Sequence, residues 1–185
     1  MPYYKLTNQK MQTRNGFQWK LGKWYKIDKT KRYQDVLCSD SWFHCYNNPL
    51  LAVMFNPIHA KIKNPRLFRV SVKGKGLSDN GTKFGFPYMK LVEEIPLPEI
   101  TPVQRIAFAI LCTKETCKNE KWNKWADNWL SGSYRNINAD AAYAAAYAAA
   151  DAARTAAYTA DAAAYAAARI SIDLISLIQK AMKYK

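Results

Sequence analysis

Residues 138–169 constrain this chain more than any other stretch, because alanine fills almost every position there. No Gly or Pro follows Gly132, and alanine is the strongest helix former, so the composition predicts a long alanine-rich helix over residues 139–169. Asn138 is placed to cap it, and Asp140 falls in the first turn, where the helix dipole favours a carboxylate. The larger residues are periodic: Tyr143, Arg154 and Tyr165 are eleven apart, as are Tyr147, Tyr158 and Arg169, and Asp140 and Asp151. Eleven residues make three turns of about 3.67 residues, so these side chains form one nearly straight ridge. The remaining faces are methyl surface, which lets a second helix approach to the short end of the usual ~8–10 Å range. Tyr143, Tyr147, Arg154, Tyr158 and Tyr165 are therefore the candidate partner-helix residues, for packing within the chain or for a homo-oligomer. A continuous helix to Lys183 would span about 68 Å, against a radius of gyration of ~16 Å for a compact domain of this length. A break near Arg169, or a second chain along the helix, is expected.

Charge is the strongest functional signal. The formal net charge is +14, and residues 1–100 contribute 17 Lys and Arg against 7 Asp and Glu. That excess favours a polyanionic partner, either nucleic acid or a host protein or nucleoprotein complex that handles it. The candidate binding residues are Lys20, Lys23, Lys26, Lys29, Lys31, Arg32, Lys61, Lys63, Lys73 and Lys75. Mean hydropathy is −0.36, and alanine punctuated by Asp and Arg makes a poor membrane span. The first residues carry no apolar leader segment. No membrane association is expected, and the cytoplasm of a host cell is the expected location.

The pattern of elements predicts an α+β fold, with a small basic β-rich domain over residues 1–95 and a helical region over residues 96–185. Residues 16–21 and 23–27 alternate around Gly22 as a strand or hairpin would, and residues 67–74 alternate more cleanly, with Phe68, Val70 and Val72 on one side. Pro49 opens a short helix behind Asn48, with Pro57 as its stop. Residues 74–85 are turn-rich and read as a loop, and residues 88–95 as a further strand. Thr101-Pro102 opens another helix, and a following one carries Trp122, Trp125 and Trp129 on one face.

Few residues suggest chemistry. Cys38 and Cys45 are separated by six residues, and Cys112 and Cys117 by four, spacings unlike a zinc knuckle. His44 lies between aromatics with no adjacent carboxylate, so a packed, hydrogen-bonded imidazole is expected rather than a base paired with a thiolate. The Trp122, Trp125 and Trp129 face is interleaved with Lys118, Lys121 and Lys124, as in a nucleic-acid groove, but a tryptophan stripe at helical spacing more commonly packs. Glu93 and Glu94 read as solvated charge. No phosphate-binding glycine loop, zincin motif or nucleophile elbow is present. No catalytic residue, metal or cofactor is assigned.

Arg14-x-Gly16-Phe17-Gln18, Gly22-Lys23-x-Tyr25, Cys38, Phe43-His44-Cys45, Asn48-Pro49-Leu50 and Phe68-x-Val70-x-Val72-x-Gly74 together resemble an uncharacterised domain of bacteriophage and prophage accessory proteins. Trp42 stands where that pattern has Gly, and His44 abuts Cys45 without the usual gap. The resemblance implies a viral setting and brings no established reaction with it. Residues 43–55 are also loosely similar to ADP-ribosyltransferase-like folds, although the expected catalytic Glu cannot be placed. The expectation is therefore a phage-encoded, non-enzymatic binding protein that uses a basic surface to block a host nucleic-acid-handling or defence complex. The alternatives are a nucleic-acid-associated or virion component oligomerising through the alanine-rich helix, and an ADP-ribosyltransferase-like enzyme.

Overall fold

Alternation in residues 66–73 sets the architecture of the first half. In the computed structural model this stretch is a central antiparallel strand, and the structure describes residues 1–28, 36–79, 81, 83–115, 117–133 and 172–185. The expected helix over residues 139–169, with Tyr143, Tyr147, Arg154, Tyr158 and Tyr165, lies outside the described residues, as do Lys29, Lys31 and Arg32. The fold is α+β: two sheets and one helix, then helices. It divides into two units, Met1–Glu99 and Ile100–Lys185.

In the first unit, strands β1 (Tyr3–Thr7), β2 (Trp24–Lys26), β4 (Arg66–Lys73) and β7 (Tyr88–Ile95) form a sheet in the order β1-β4-β7-β2. All its pairings are antiparallel. A smaller sheet has the order β3-β6-β5, from β3 (Phe43–Cys45), β5 (Leu77–Ser78) and β6 (Phe84–Phe86). The two are stitched together where Tyr4 and Tyr46 exchange backbone hydrogen bonds of 2.7 and 2.8 Å.

Strand periodicity dictates what lies between the sheets, because residues two apart share a face. Val70, Met89 and Leu91 of the larger sheet meet Phe43 and Cys45 of the smaller one, with Phe84 and Phe86 packed at the margin. Trp19 is drawn into this core at 1% exposure, and its indole N–H donates to Thr13 Oγ1 at 3.0 Å. The rings of Phe17, Trp19, Tyr25 and Phe43 sit 4.9 to 5.5 Å apart in tilted and edge-on pairs, the geometry aromatic quadrupoles prefer.

Three local expectations are corrected. Residues 16–21 do not form a strand. The chain makes a 3-10 turn at Arg14–Gly16 and folds back on residues 11–13 through an isolated antiparallel bridge between Gln12 and Gln18, with the Trp19 N–H donating to the Met11 carbonyl at 2.9 Å. Residues 74–85, expected as a loop, contain β5 and begin β6, both too short for a periodic signal. Helix α1 (Pro49–His59) runs through Pro57 rather than stopping at it. Pro57 has no N–H for the Val53 carbonyl and its ring crowds that carbonyl, but the helix has only two residues left to run beyond it. Asn48 caps this helix by accepting from the Leu50 N–H at 2.9 Å, and α1 packs against β1.

The second unit contains α2 (Pro102–Lys114), α3 (Glu120–Ser131) and α4 (Leu174–Ala181). Thr101 and Gln104 form a reciprocal capping box on α2, so two otherwise orphaned N–H groups are satisfied. Helix α4 lies against α2, burying Leu177, Ile178 and Ala181, and Gln104 Nε2 donates to the Met182 carbonyl at 3.0 Å. Gly132, at φ 88°, ends α3 in the left-handed conformation that a side chain would resist.

Candidate polyanion-binding face

Two tripeptides of the same design pair with each other at one edge of the larger sheet. Trp24-Tyr25-Lys26 on β2 and Tyr88-Met89-Lys90 on β7 run antiparallel, so Trp24 lies opposite Lys90 and Lys26 opposite Tyr88. Each aromatic therefore faces a lysine across the ladder and has another lysine two residues along its own strand. Tyr25 and Met89, the middle residues, face the core. β4 adds a third row: Ser71 lies beside Lys90, and Lys73 beside Tyr88.

Alternation puts Trp24, Lys26, Ser71, Lys73, Tyr88 and Lys90 on the face turned away from the core. Lys26 and Lys73 are exposed, and the other four are half-buried. Gly22 sets the approach of β2: at φ 76° it turns the chain, and its N–H donates to the Leu91 carbonyl at 2.9 Å. The Ile27 N–H continues the pairing onto the Pro87 carbonyl at 2.9 Å.

The lysines rest on the rings. Lys73 Nζ is 4.4 Å from the Trp24 ring centroid, Lys90 Nζ is 5.1 Å from it, and Lys26 Nζ is 5.6 Å from the Tyr88 centroid. Strands in a sheet are ~4.8 Å apart, so Lys73 and Trp24, two strands removed, reach toward each other over β7. A solvent-exposed contact of this type contributes ~0.5–1 kcal/mol, little enough for a stronger ligand to displace.

The ion pairs nearby along β4 and β7 join other residues than these lysines. Arg66 pairs with Glu94 at 2.5 Å, Arg69 with Glu93 at 2.6 Å, and Lys114 with Asp127. Glu93 and Glu94 are solvent-exposed, as expected, and also pair with arginines on β4, whose hydrogen bonds hold both carboxyls below their usual range.

The candidate lysines do not form one cluster. Lys26 and Lys73 share the face just described. Lys23 instead lies over the Tyr25 ring at 5.3 Å. Lys20 is in the turn before β2, and Lys75 follows Gly74, whose φ of 90° bends the chain away after β4. Lys61 and Lys63 lie between α1 and β4, at the opposite end of β4 from Lys73. Lys90, Trp24 and Tyr88 share this face and were not among the candidates expected from the sequence. The repeated aromatic-x-Lys pattern on two strands was the signal that could have found them.

The buried titratable residues lie elsewhere. His44 and Cys45 are neighbours on β3 and so point to opposite faces of the smaller sheet. The Leu37 carbonyl can only accept, so His44 Nε2–H donates to it at 2.5 Å. Burial, aided by Lys5, Lys83 and Arg14, lowers this imidazole to about 4. Cys45 is fully buried and its thiol is pushed up to about 12 by burial. Neither arrangement makes a nucleophile with its base. Lys5 is buried beside them, donating to the His44 carbonyl at 2.7 Å, and burial lowers its ammonium to about 8. His59 is stacked on Phe55 and Tyr46, within 2.8 Å of the Tyr46 hydroxyl, and burial also lowers it to about 4. All four cysteines are free thiols. No group of three or more His, Cys, Asp or Glu side chains is arranged to hold a metal ion among the described residues. In α3, Trp129 is buried, Trp122 half-buried and Trp125 38% exposed.

Residues 1–102, more than half of the chain and containing the seven strands found among the described residues, match the family described as "Domain of unknown function (DUF7666)". The chain belongs to the DUF7666 family. The DUF7666 match includes the whole stretch, residues 11–74, that resembles an uncharacterised domain, and it includes the entire aromatic-and-lysine face. No curated protein and no solved structure matches the chain. No helix among the described residues is long and apolar enough to cross a membrane.

Proposed function

We propose that this DUF7666 protein is a non-enzymatic binding protein whose partner is a polyanion, engaged by the β2-β7-β4 edge of the larger sheet. One observation carries the reading: Lys26, Lys73 and Lys90 converge on a single face around Trp24 and Tyr88. Convergent cations attract and orient an anionic chain, and the semi-rigid sheet limits the entropy lost when it binds. In the viral setting that the resemblance implies, the partner belongs to a nucleic-acid-handling or defence complex in the host cytoplasm, and occupancy of this face blocks that complex.

The test is retention of the full-length protein on immobilised heparin, as a generic polyanion, across a salt gradient. Lys26→Glu/Lys73→Glu/Lys90→Glu is expected to elute at much lower salt than Lys20→Glu/Lys61→Glu/Lys63→Glu, which removes the same charge elsewhere. Equal elution of the two variants contradicts the reading.

A further inference from the structure

We infer that the polyanion is a single-stranded nucleic acid, with one base stacked on Trp24, a second on Tyr88, and the adjoining phosphates on Lys26, Lys73 and Lys90. This rests on the polyanion-binding reading above and adds the class of polymer.

Charge alone would not need the rings. On this face aromatic and cationic side chains alternate along β2 and β7 and across the ladder between them. A single strand presents the matching alternation of flat bases and phosphates. Lys73 Nζ at 4.4 Å from the Trp24 centroid shows that a face of the indole is turned toward cationic side chains and is reachable by them. A base arriving there displaces an ammonium, and that ammonium moves onto the phosphate the base brings with it. The exchange exposes no unpaired charge, and stacking is the stronger of the two ring contacts.

Other polyanions fit less well. A duplex keeps its bases stacked inside, and rings lying on a sheet cannot reach them. An acidic protein surface would satisfy the lysines and leave both ring faces unused. A single strand uses both sets of groups.

The experiment is fluorescence anisotropy of the full-length protein with a labelled 12-nucleotide oligothymidylate and a labelled 12-base-pair duplex, each also competed with inorganic polyphosphate. The oligothymidylate is expected to bind at least tenfold more tightly than the duplex at the same salt. Trp24→Leu should weaken it by roughly tenfold to a hundredfold, the loss typical of one stacked base, and should weaken duplex and polyphosphate binding by a clearly smaller factor. Trp24→Phe keeps a π-face and should retain most of the affinity. Tyr88→Leu is the independent second variant, expected to act in the same direction should Trp24→Leu lose its native circular dichroism. Comparable affinity for all three polyanions, unmoved by either leucine variant, overturns the stacking inference and leaves the polyanion reading standing. Failure of every probe to bind at low salt overturns both.

Discussion

Protonation of His44 and His59 links single residues to the stability of the first unit. Both imidazoles are held near 4 in the folded chain, against 6.5 when free of the fold, chiefly by burial. Between those values the unfolded chain binds more protons than the folded one, so stability is complete above about pH 6.5 and drains away as pH falls toward 4. Glu93 and Glu94, whose carboxyls are lowered from 4.5 by their arginines, act only below that value. The span from pH 7 to 5 therefore belongs mainly to the histidines. Urea midpoints measured across it are expected to fall, and a flat profile would show that neither imidazole is buried as described. Thiol reactivity separates two cysteines in the same way. Cys38 is exposed, whereas Cys45 is buried with its thiol pushed up to about 12. Brief treatment of the native protein with iodoacetamide should label Cys38 and spare Cys45, as read by peptide mass spectrometry.

At the scale of elements, the smaller sheet is the part least tolerant of change. A Cβ on Gly85 would lie 2.5 Å from Leu37 Cδ1 and 2.8 Å from Trp42 Cβ. Gly85→Ala forces Trp42 or β6 to shift, and the expected loss is about 1–3 kcal/mol by urea unfolding. An unchanged midpoint would mean that Leu37 and Trp42 do not pack over β6. This sheet was also the least legible element in the sequence. Three residues of β3, two of β5 and three of β6 cannot display a period, and Gly76, Gly81 and Gly85 read as turn residues. By contrast, Leu67 through Lys73 showed their alternation plainly, and Thr101-Pro102 and Asn48-Pro49 announced two helix starts. The proposed binding face was half legible. Charge counting found Lys26 and Lys73 but treated every nearby lysine alike. Lys23 and Lys26, three residues apart, fall on opposite faces of any strand. Lys90 was passed over because its role depends on which strand pairs with β2, a long-range choice that local pattern does not encode.

For the whole molecule, the seven strands, the DUF7666 match and the lysine-and-aromatic face all fall within residues 1–102. The proposed recognition therefore belongs to the first unit, while the formal charge of +14 adds a long-range attraction that any polyanion feels. Salt separates the two effects, since contacts with phosphates release counterions in proportion to their number. The most direct measurement is the salt dependence of oligothymidylate affinity for the wild-type protein and for Lys26→Glu/Lys73→Glu/Lys90→Glu. Three phosphate contacts on a single strand predict a log–log slope of about −2 for the wild type from these lysines alone. The variant is expected to bind far more weakly, with its slope reduced in magnitude by about 2. If the variant matches the wild type in both affinity and slope, this face is not where the polyanion binds.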